Sequence, residues 1–313
     1  MTEKRCLTGN GMRIIAWEYV TGGGGARSDN GAMAAEGAMM AEALMRDLGD
    51  IAEVEAVLAR ELAPALADCD AFWPIAPETD GALEEATRLA RAADRIVLNS
   101  AADAVAIASS KRATARRLAD CGIPVVATRP LGERPPSSNG WVVKPDKGTG
   151  ATDARIVTRP DELEHHAAAL RDPVVQPYVP GTPLSLSVIA QDGNAWLLSC
   201  NLQRVDHVGD GFAYRGSVVG GAEHRRDVLL PIAKAVAAAL PGLWGHVGID
   251  LIDGPSGPEV LEINPRITTS YVGLRDSLGV NPAGLVTALL KAPLAALRRP
   301  LQPRPVAVEV ASP

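Results

Sequence analysis

Asp250, Glu262, Asn264 and Arg266 lie close together in an otherwise apolar stretch, GHVGIDLIDGPSGPEVLEINPRITT, running from Gly245 to Thr269. Two carboxylates and an amide oxygen are hard donors, the kind that hold Mg²⁺. The Arg266 guanidinium offers a planar fork of N–H groups to a phosphate or a carboxylate. Solvated acids on the outer face of an ordinary hairpin would leave a similar trace, so the surrounding elements have to decide. Val247–Ile252 and Glu259–Ile263 are β-branched runs flanking Gly-Pro-Ser-Gly-Pro, a hairpin signal. Strand residues two apart share a face, so Glu262 and Asn264 look the same way. Asp250 joins them if the register allows.

Cations for a phosphate come from earlier in the chain. Lys144 stands amid Trp-Val-Val and Pro, an unusual place for a lysine, and Lys111 follows Ser109-Ser110 on a helix. Between strands Trp141–Pro145 and Arg155–Thr158 runs Asp146–Asp153, rich in Gly and Thr, whose backbone N–H groups can fold over phosphates. It lacks the order of a Walker loop.

The positioning elements follow from pattern. Arg13–Glu18, Ala71–Ala76 and Arg95–Leu98 read as buried strands. Ala32–Leu48, Glu53–Leu66, Gly81–Ala93, Ala102–Ala119, Asp161–Leu170 and Asp227–Ala239 read as helices. The alternation in the first hundred residues predicts a parallel three-layer unit. Glu18 ends its strand ahead of the Gly22–Gly25 run. Glu78 and Asp80 sit where a strand gives way to a helix, as caps or as substrate ligands. Val174–Gly181 is an apolar, proline-broken linker between lobes. Leu184–Ala190 and Ala195–Cys200 form a hairpin that continues as a polar strand, NLQRV. His207–Ala213 reads as a loop and Tyr214–Gly221 as a strand. Leu297–Pro313 reads as a loosely packed tail.

The 313 residues are 47 % hydrophobic, enough for a large core. The net charge of −6 argues against a nucleic-acid surface, though not against a nucleotide. Four scattered cysteines point to reduced thiols. No run is long and apolar enough for a membrane span, and the N-terminus shows no signal-peptide core, so a cytoplasmic protein without membrane or nucleic-acid partners is expected.

Taken in order, Lys111, Lys144, the Lys147–Asp153 loop, the Val175–Gly181 hinge, Asp250 and Glu262-Ile263-Asn264-Pro265-Arg266 resemble the ATP-grasp ligases. The segments EYVTGGG, APETDG, SSKRAT, NLQRV with YRG, and EINPRITTSYVGL are most similar to the tyramine–glutamate ligase group of methanofuran biosynthesis. The resemblance implies an α/β and α+β fold: a pre-ATP-grasp domain (12–100), a first lobe with the phosphate loop (101–175), a second lobe with the metal site (176–297) and a tail (298–313). It also implies an ATP-dependent carboxylate–amine ligase acting on an amino acid and an amine, with homodimer formation left open. ATP would meet Lys111, Lys144, Lys147, Gly148, Thr149, Gly150, Gln176, Pro177, Tyr178, Val179 and Ser185. Two Mg²⁺ ions, or Mn²⁺, would sit on Asp250, Glu262 and Asn264. Arg266, with Lys144, would stabilise the transferred phosphoryl group. Glu18, Glu78, Asn201, Gln203, Arg204, Tyr214, Thr268, Thr269 and Ser270 would face the substrates, with Arg204 meeting a substrate carboxylate. Pro183 departs from the pattern, which has a ribose-binding Glu there. A metal-dependent kinase and a nucleotide-binding regulator without turnover are the competing functions.

Overall fold

The computed structural model describes residues 11–22, 31–148 and 153–310. It opens with β1 (Met12–Glu18), α1 (Gly31–Gly49), β2 (Val54–Ala59), α2 (Leu62–Ala67), β3 (Ala71–Ile75), α3 (Ala82–Ala92) and β4 (Ile96–Val97). The strands form a parallel sheet in the order β2-β1-β3-β4. The helix expected over Glu53–Leu66 is therefore a strand followed by a short helix. Val54, Val57 and Leu58 fit either period, and parallel pairing of Val54–Ala59 with β1 selects the strand.

Next come α4 (Ala102–Ala108), α5 (Lys111–Asp120), β5 (Arg129–Pro130), β6 (Trp141–Pro145), β7 (Arg155–Val157), α6 (Pro160–Ala167) and β8 (Pro173–Pro177). The single helix expected over Ala102–Ala119 breaks at Ser109-Ser110, because the Ser110 hydroxyl caps α5 by accepting from the Ala113 N–H at 3.0 Å. The remainder is β9 (Thr182–Gln191), β10 (Asn194–Val208), β11 (Gly211–Val219), α7 (Arg226–Ala239), β12 (Gly245–Gly254), β13 (Gly257–Asn264), α8 (Tyr271–Leu278), α9 (Pro282–Ala288), α10 (Leu294–Leu297) and β14 (Val306–Glu309). Strands β13-β12-β9-β10-β11-β7-β6-β8-β5 run through one sheet, with β14 also on β11.

Two further expectations change. The loop expected at His207–Ala213 is a tight hairpin: β10 continues to Val208 and pairs His207 with Phe212. The tail is not loose, since Val308 is buried and β14 pairs antiparallel with β11.

One face of the second sheet packs Leu184, Leu186, Ile249, Leu251 and Ile263 against α4, α5 and α7. The other face is polar at one end, where Glu262 pairs with Asp250, Asp250 with Ser185, and Ser185 with Asn201. At its other end α8 and α9 seal it, together with α1 of the first domain, through Ile189, Leu198, Tyr271 and Leu274. His246 lies within that seal, its ring edge-on to Tyr271 and its Nδ1 3.2 Å from the Arg266 carbonyl.

Burial pushes the His246 pKa down to about 4, so the folded ring stays neutral where an unfolded one takes a proton. Stability present above about pH 6.5 is then lost as pH falls toward 4, at about 1.4 kcal/mol per pH unit from this one group. The stability advantage of the wild type over His246→Gln should shrink by about 2 kcal/mol between pH 7 and 4.5 in urea titrations. A pH-independent difference would show that the folded ring is not held neutral.

Candidate active site

The polar end of the sheet gathers the acids. Asp250 and Glu262 are direct cross-strand partners, and the register slips just beyond Asp250. Such bulges re-aim side chains next to functional sites. The Asn264 amide donates to Asp250 Oδ2 at 3.0 Å, and the Gln203 amide donates to Oδ1 at 3.0 Å. Burial and the charge of Glu262 push the Asp250 pKa up to about 8. Burial would also raise Glu262, but Lys111 and Lys144 outweigh it and hold that carboxyl low. Two carboxylates forced together beside an amide oxygen fit a divalent cation, which would hold both ionised. Asp250, Glu262 and Asn264 could hold it.

The lysines arrive opposite. Lys111 opens α5, almost wholly buried, with Nζ 3.6 Å from Glu262 Oε2 and donating to the Gly148 carbonyl at 2.9 Å. Asp146 fixes this placement: its carboxylate accepts from the Ser110 hydroxyl at 2.6 Å and the Arg112 N–H at 2.8 Å. An acid at a helix N-terminus is favourable, and here it ties α5 to the loop after β6. Lys144 comes from β6. Burial and the charge of Lys111 push its pKa down to about 8, against the pull of Glu262 and Asp250. Lys147 is exposed. Thr149 and Gly150 lie outside the described residues.

Arg266 is held rather than free. Its Nε and Nη2 donate to the two Glu78 oxygens at 3.0 and 2.8 Å, and Nη1 donates to the Ile267 carbonyl at 3.1 Å. Glu78 is thus a clasp between the domains and makes no side-chain cap. Three of the five guanidinium N–H groups are taken, leaving two for a ligand. The loop carrying Arg266, Thr268 and Thr269 crosses the sheet at Gly248, where a Cβ would come within 2.6 Å of the Thr268 methyl.

The substrate-facing group divides. Tyr214 and Thr269 lie with Asp250 and Arg266. Burial, then Asp250, drives the Tyr214 phenol well above its ordinary range, while the neighbouring Ser217 and Thr269 hydroxyls work against that rise. Thr268 and Ser270 share a hydroxyl contact at 3.0 Å, and Ser270 reaches Ser187 at 3.3 Å. Three members are placed otherwise. Asn201 is wholly buried, bonded to Ser185, Ser187, Ser199 and the Gly220 N–H, so it braces the sheet. Ser185, expected to meet ATP, is buried beside it and accepts from its amide at 3.3 Å. Arg204 is exposed and reaches Glu309 of the tail at 3.3 Å, because the strand period that aims Gln203 at Asp250 aims its neighbour away. Glu18 accepts from the Val20 and Thr21 N–H groups and packs on Gly37, where a Cβ would come within 2.4 Å, so it braces the turn. At the hinge, buried Gln176 donates to Thr128 at 2.8 Å; Tyr178 meets His207 edge-on, with Pro177 and Val179 on either side of it.

Two contributors carried no sequence signal. Asp146 reads as part of a Gly-rich loop. Glu36 lies on α1, far away in sequence, and its Oε2 accepts from the Thr269 hydroxyl at 2.8 Å.

A family model described as an ATP-grasp domain matches residues 108–270, and a pre-ATP-grasp domain model matches residues 41–105. Over 102 residues the chain is 33 % identical to the tyramine–L-glutamate ligase of Methanocaldococcus jannaschii, covering 33 % of this chain and 32 % of that protein. The chain thus matches about a third of the length of that curated relative. Among solved structures, an ATP-grasp superfamily protein from Archaeoglobus fulgidus superposes with a TM-score of 0.70 at 24 % identity, over 88 % of each chain. The L-amino acid ligase of Bacillus licheniformis gives 0.65 at 17 % identity, over 90 % of this chain and 74 % of its own.

The Glu78–Arg266 side chains are only 5 % and 11 % exposed, so removing one strands a buried charge. Glu78→Ala should cost about 3–5 kcal/mol of unfolding free energy, and Glu78→Leu with Arg266→Met should recover most of it. A double-mutant cycle in urea checks both figures. Equal losses in the single and paired variants would mean that the charge pairing is not what matters.

Proposed function

This chain belongs to the ATP-grasp family, and we propose that it is an ATP-dependent ligase joining a glutamate-like carboxylate to an amine, releasing ADP and phosphate. The observation that carries the reading is the facing arrangement of Asp250, Glu262 and Asn264 on one hairpin with Lys111 from α5 and Lys144 from β6. A carboxylate is a poor acyl donor because its leaving group would be oxide. Phosphorylation turns that leaving group into phosphate, and the amine then displaces it. The difficulty is charge, since one anion must approach another.

Lys111, Lys144 and the remaining N–H groups of Arg266 neutralise the polyphosphate and the developing equatorial charge. A divalent cation on the hairpin acids adds positive charge to the same oxygens when bound. Glu78 keeps the Arg266 fork fixed, so no reorganisation is needed as charge develops. Thr269 and Tyr214 would line the substrate pocket near Asp250 and Glu36. The part-length likeness to a tyramine–L-glutamate ligase supports glutamate as the acid, a phenol-bearing amine such as tyramine as the acceptor, and a place in methanofuran-type cofactor synthesis.

The test is amine-dependent phosphate release and mass spectrometry of products from ATP, glutamate and a panel of amines. An amide product is expected; phosphorylated acid without amide would favour a kinase. Glu262→Gln should lower turnover about 100-fold or more, as loss of a ligand and a charge removes transition-state stabilisation. Wild-type turnover in that variant would exclude a metal role. Lys144→Ala should raise the ATP concentration needed for half-maximal rate about tenfold or more. An unchanged requirement would make Lys144 structural.

A further inference from the structure

Glu36 is the one acid in this cluster that the proposed chemistry does not use. It reaches the site from α1 and borders Thr269, Tyr214 and Arg266. Each of the other acids has a cation matched to it. Glu78 holds Arg266 in two bonds, and Glu262 faces Lys111 and Lys144. Asp250 shares that pair's field and accepts from two amides. Glu36 has neither: among the described residues only the neutral Thr269 hydroxyl donates to it. Burial raises its pKa against the Thr269 hydrogen bond and the charge of Arg266.

Docking of α1 does not explain the charge. The helix is already fastened to α8 and α9 through Asp47, which accepts from the Tyr271 hydroxyl at 3.0 Å and from Arg275 at 3.2 Å, while its carbonyl accepts from Asn281 at 2.7 Å. A hydroxyl such as Thr269 is equally well met by a neutral amide oxygen. A half-buried carboxylate without a cation is costly unless a ligand supplies one.

We propose that Glu36 is the anionic seat for a substrate ammonium group, so that selectivity for a protonated amine is built into the first domain rather than the ATP-binding lobes. The inference rests on the ligase reading for its substrate class. Two substrates of such a ligase carry an ammonium: the amino acid supplying the carboxylate and the amine accepting it. Thr269 holds one carboxylate oxygen still, and Tyr214 forms the wall beside it.

The experiment is calorimetric binding to the full chain with Mg²⁺ and a non-hydrolysable ATP analogue, comparing wild type with Glu36→Gln. Gln keeps the acceptor for Thr269 and changes only the charge. The probes are glutamate against glutarate, and tyramine against 4-ethylphenol; each pair differs by the ammonium group. Glu36→Gln should weaken one ammonium ligand about 30-fold, the loss of a charge-assisted bond, and leave its counterpart unchanged. Whichever ligand weakens identifies the source of the ammonium. Glu36→Asp, which keeps the charge, should retain most of the preference. Unchanged binding of both ammonium ligands in Glu36→Gln would overturn the proposal. So would an equal loss of the uncharged counterparts, or a wild type that prefers neither ammonium ligand. Intact ammonium selectivity without any amide product would instead count against the ligase reading alone.

Discussion

Two carboxylates set directly across a β-hairpin repel, and the rest of this molecule is arranged around that repulsion. Asp250 and Glu262 share a register position in which like charges destabilise a sheet. Within the hairpin the Asn264 amide relieves Asp250; the rest of the relief comes from elsewhere, from the Gln203 amide on the same acid and ammonium groups from α5 and β6 on the other. The lysines come from α5, packed against the sheet, and from β6, so the charges that would grip a nucleotide are supplied by separate elements. A site that is electrostatically unsatisfied by itself is what a highly charged ligand requires.

A second constraint links the first domain to this centre. The turn after β3 reaches Arg266, just past the hairpin, and strand ends are where α/β sheets present side chains to ligands. Glu78 follows β3 and meets Arg266 in a two-bonded pair that is almost dry. α1 runs alongside, tied by Asp47 to α8 and carrying Glu36 to Thr269. The first domain therefore does more than pack: it fixes the orientation of the Arg266 guanidinium and adds a carboxylate of its own.

Much of this was legible because the hairpin and its lysines obey local rules. Apolar β-branched runs around a Gly-Pro turn admit few other structures, and period-two alternation places Glu262 beside Asn264 without knowledge of the fold. The failures share a cause. Val54–Ala59 fits two periods, and only the neighbouring strand β1 decides between them. Arg204 and Gln203 are adjacent and both polar, so sequence alone could not say which faces Asp250. Asn201 and Glu18 carry the right chemistry, but their bonding capacity is consumed by neighbours. Asp146 and Glu36 were invisible because what matters about them, a helix N-terminus and a distant threonine, is set by tertiary structure.

The charge balance decides how these parts act together. Around the hairpin, Asp250, Glu262, Glu78 and Glu36 face Lys111, Lys144 and Arg266. Among the described residues these acids outnumber the cations by one: the Asp250–Glu262 pair concentrates negative charge at one place, and Glu36 stands without a cation of its own at another. A divalent ion can answer the first because two carboxylates lie side by side there, with Asn264 against one of them. It cannot readily answer the second, where a single carboxylate already bonded to a hydroxyl offers too few oxygens for a hard cation. An ammonium group, with donors and one positive charge, suits that remaining carboxylate. The distribution of negative charge thus separates a place for metal and phosphate from a place for a substrate ammonium group, with Arg266 near both.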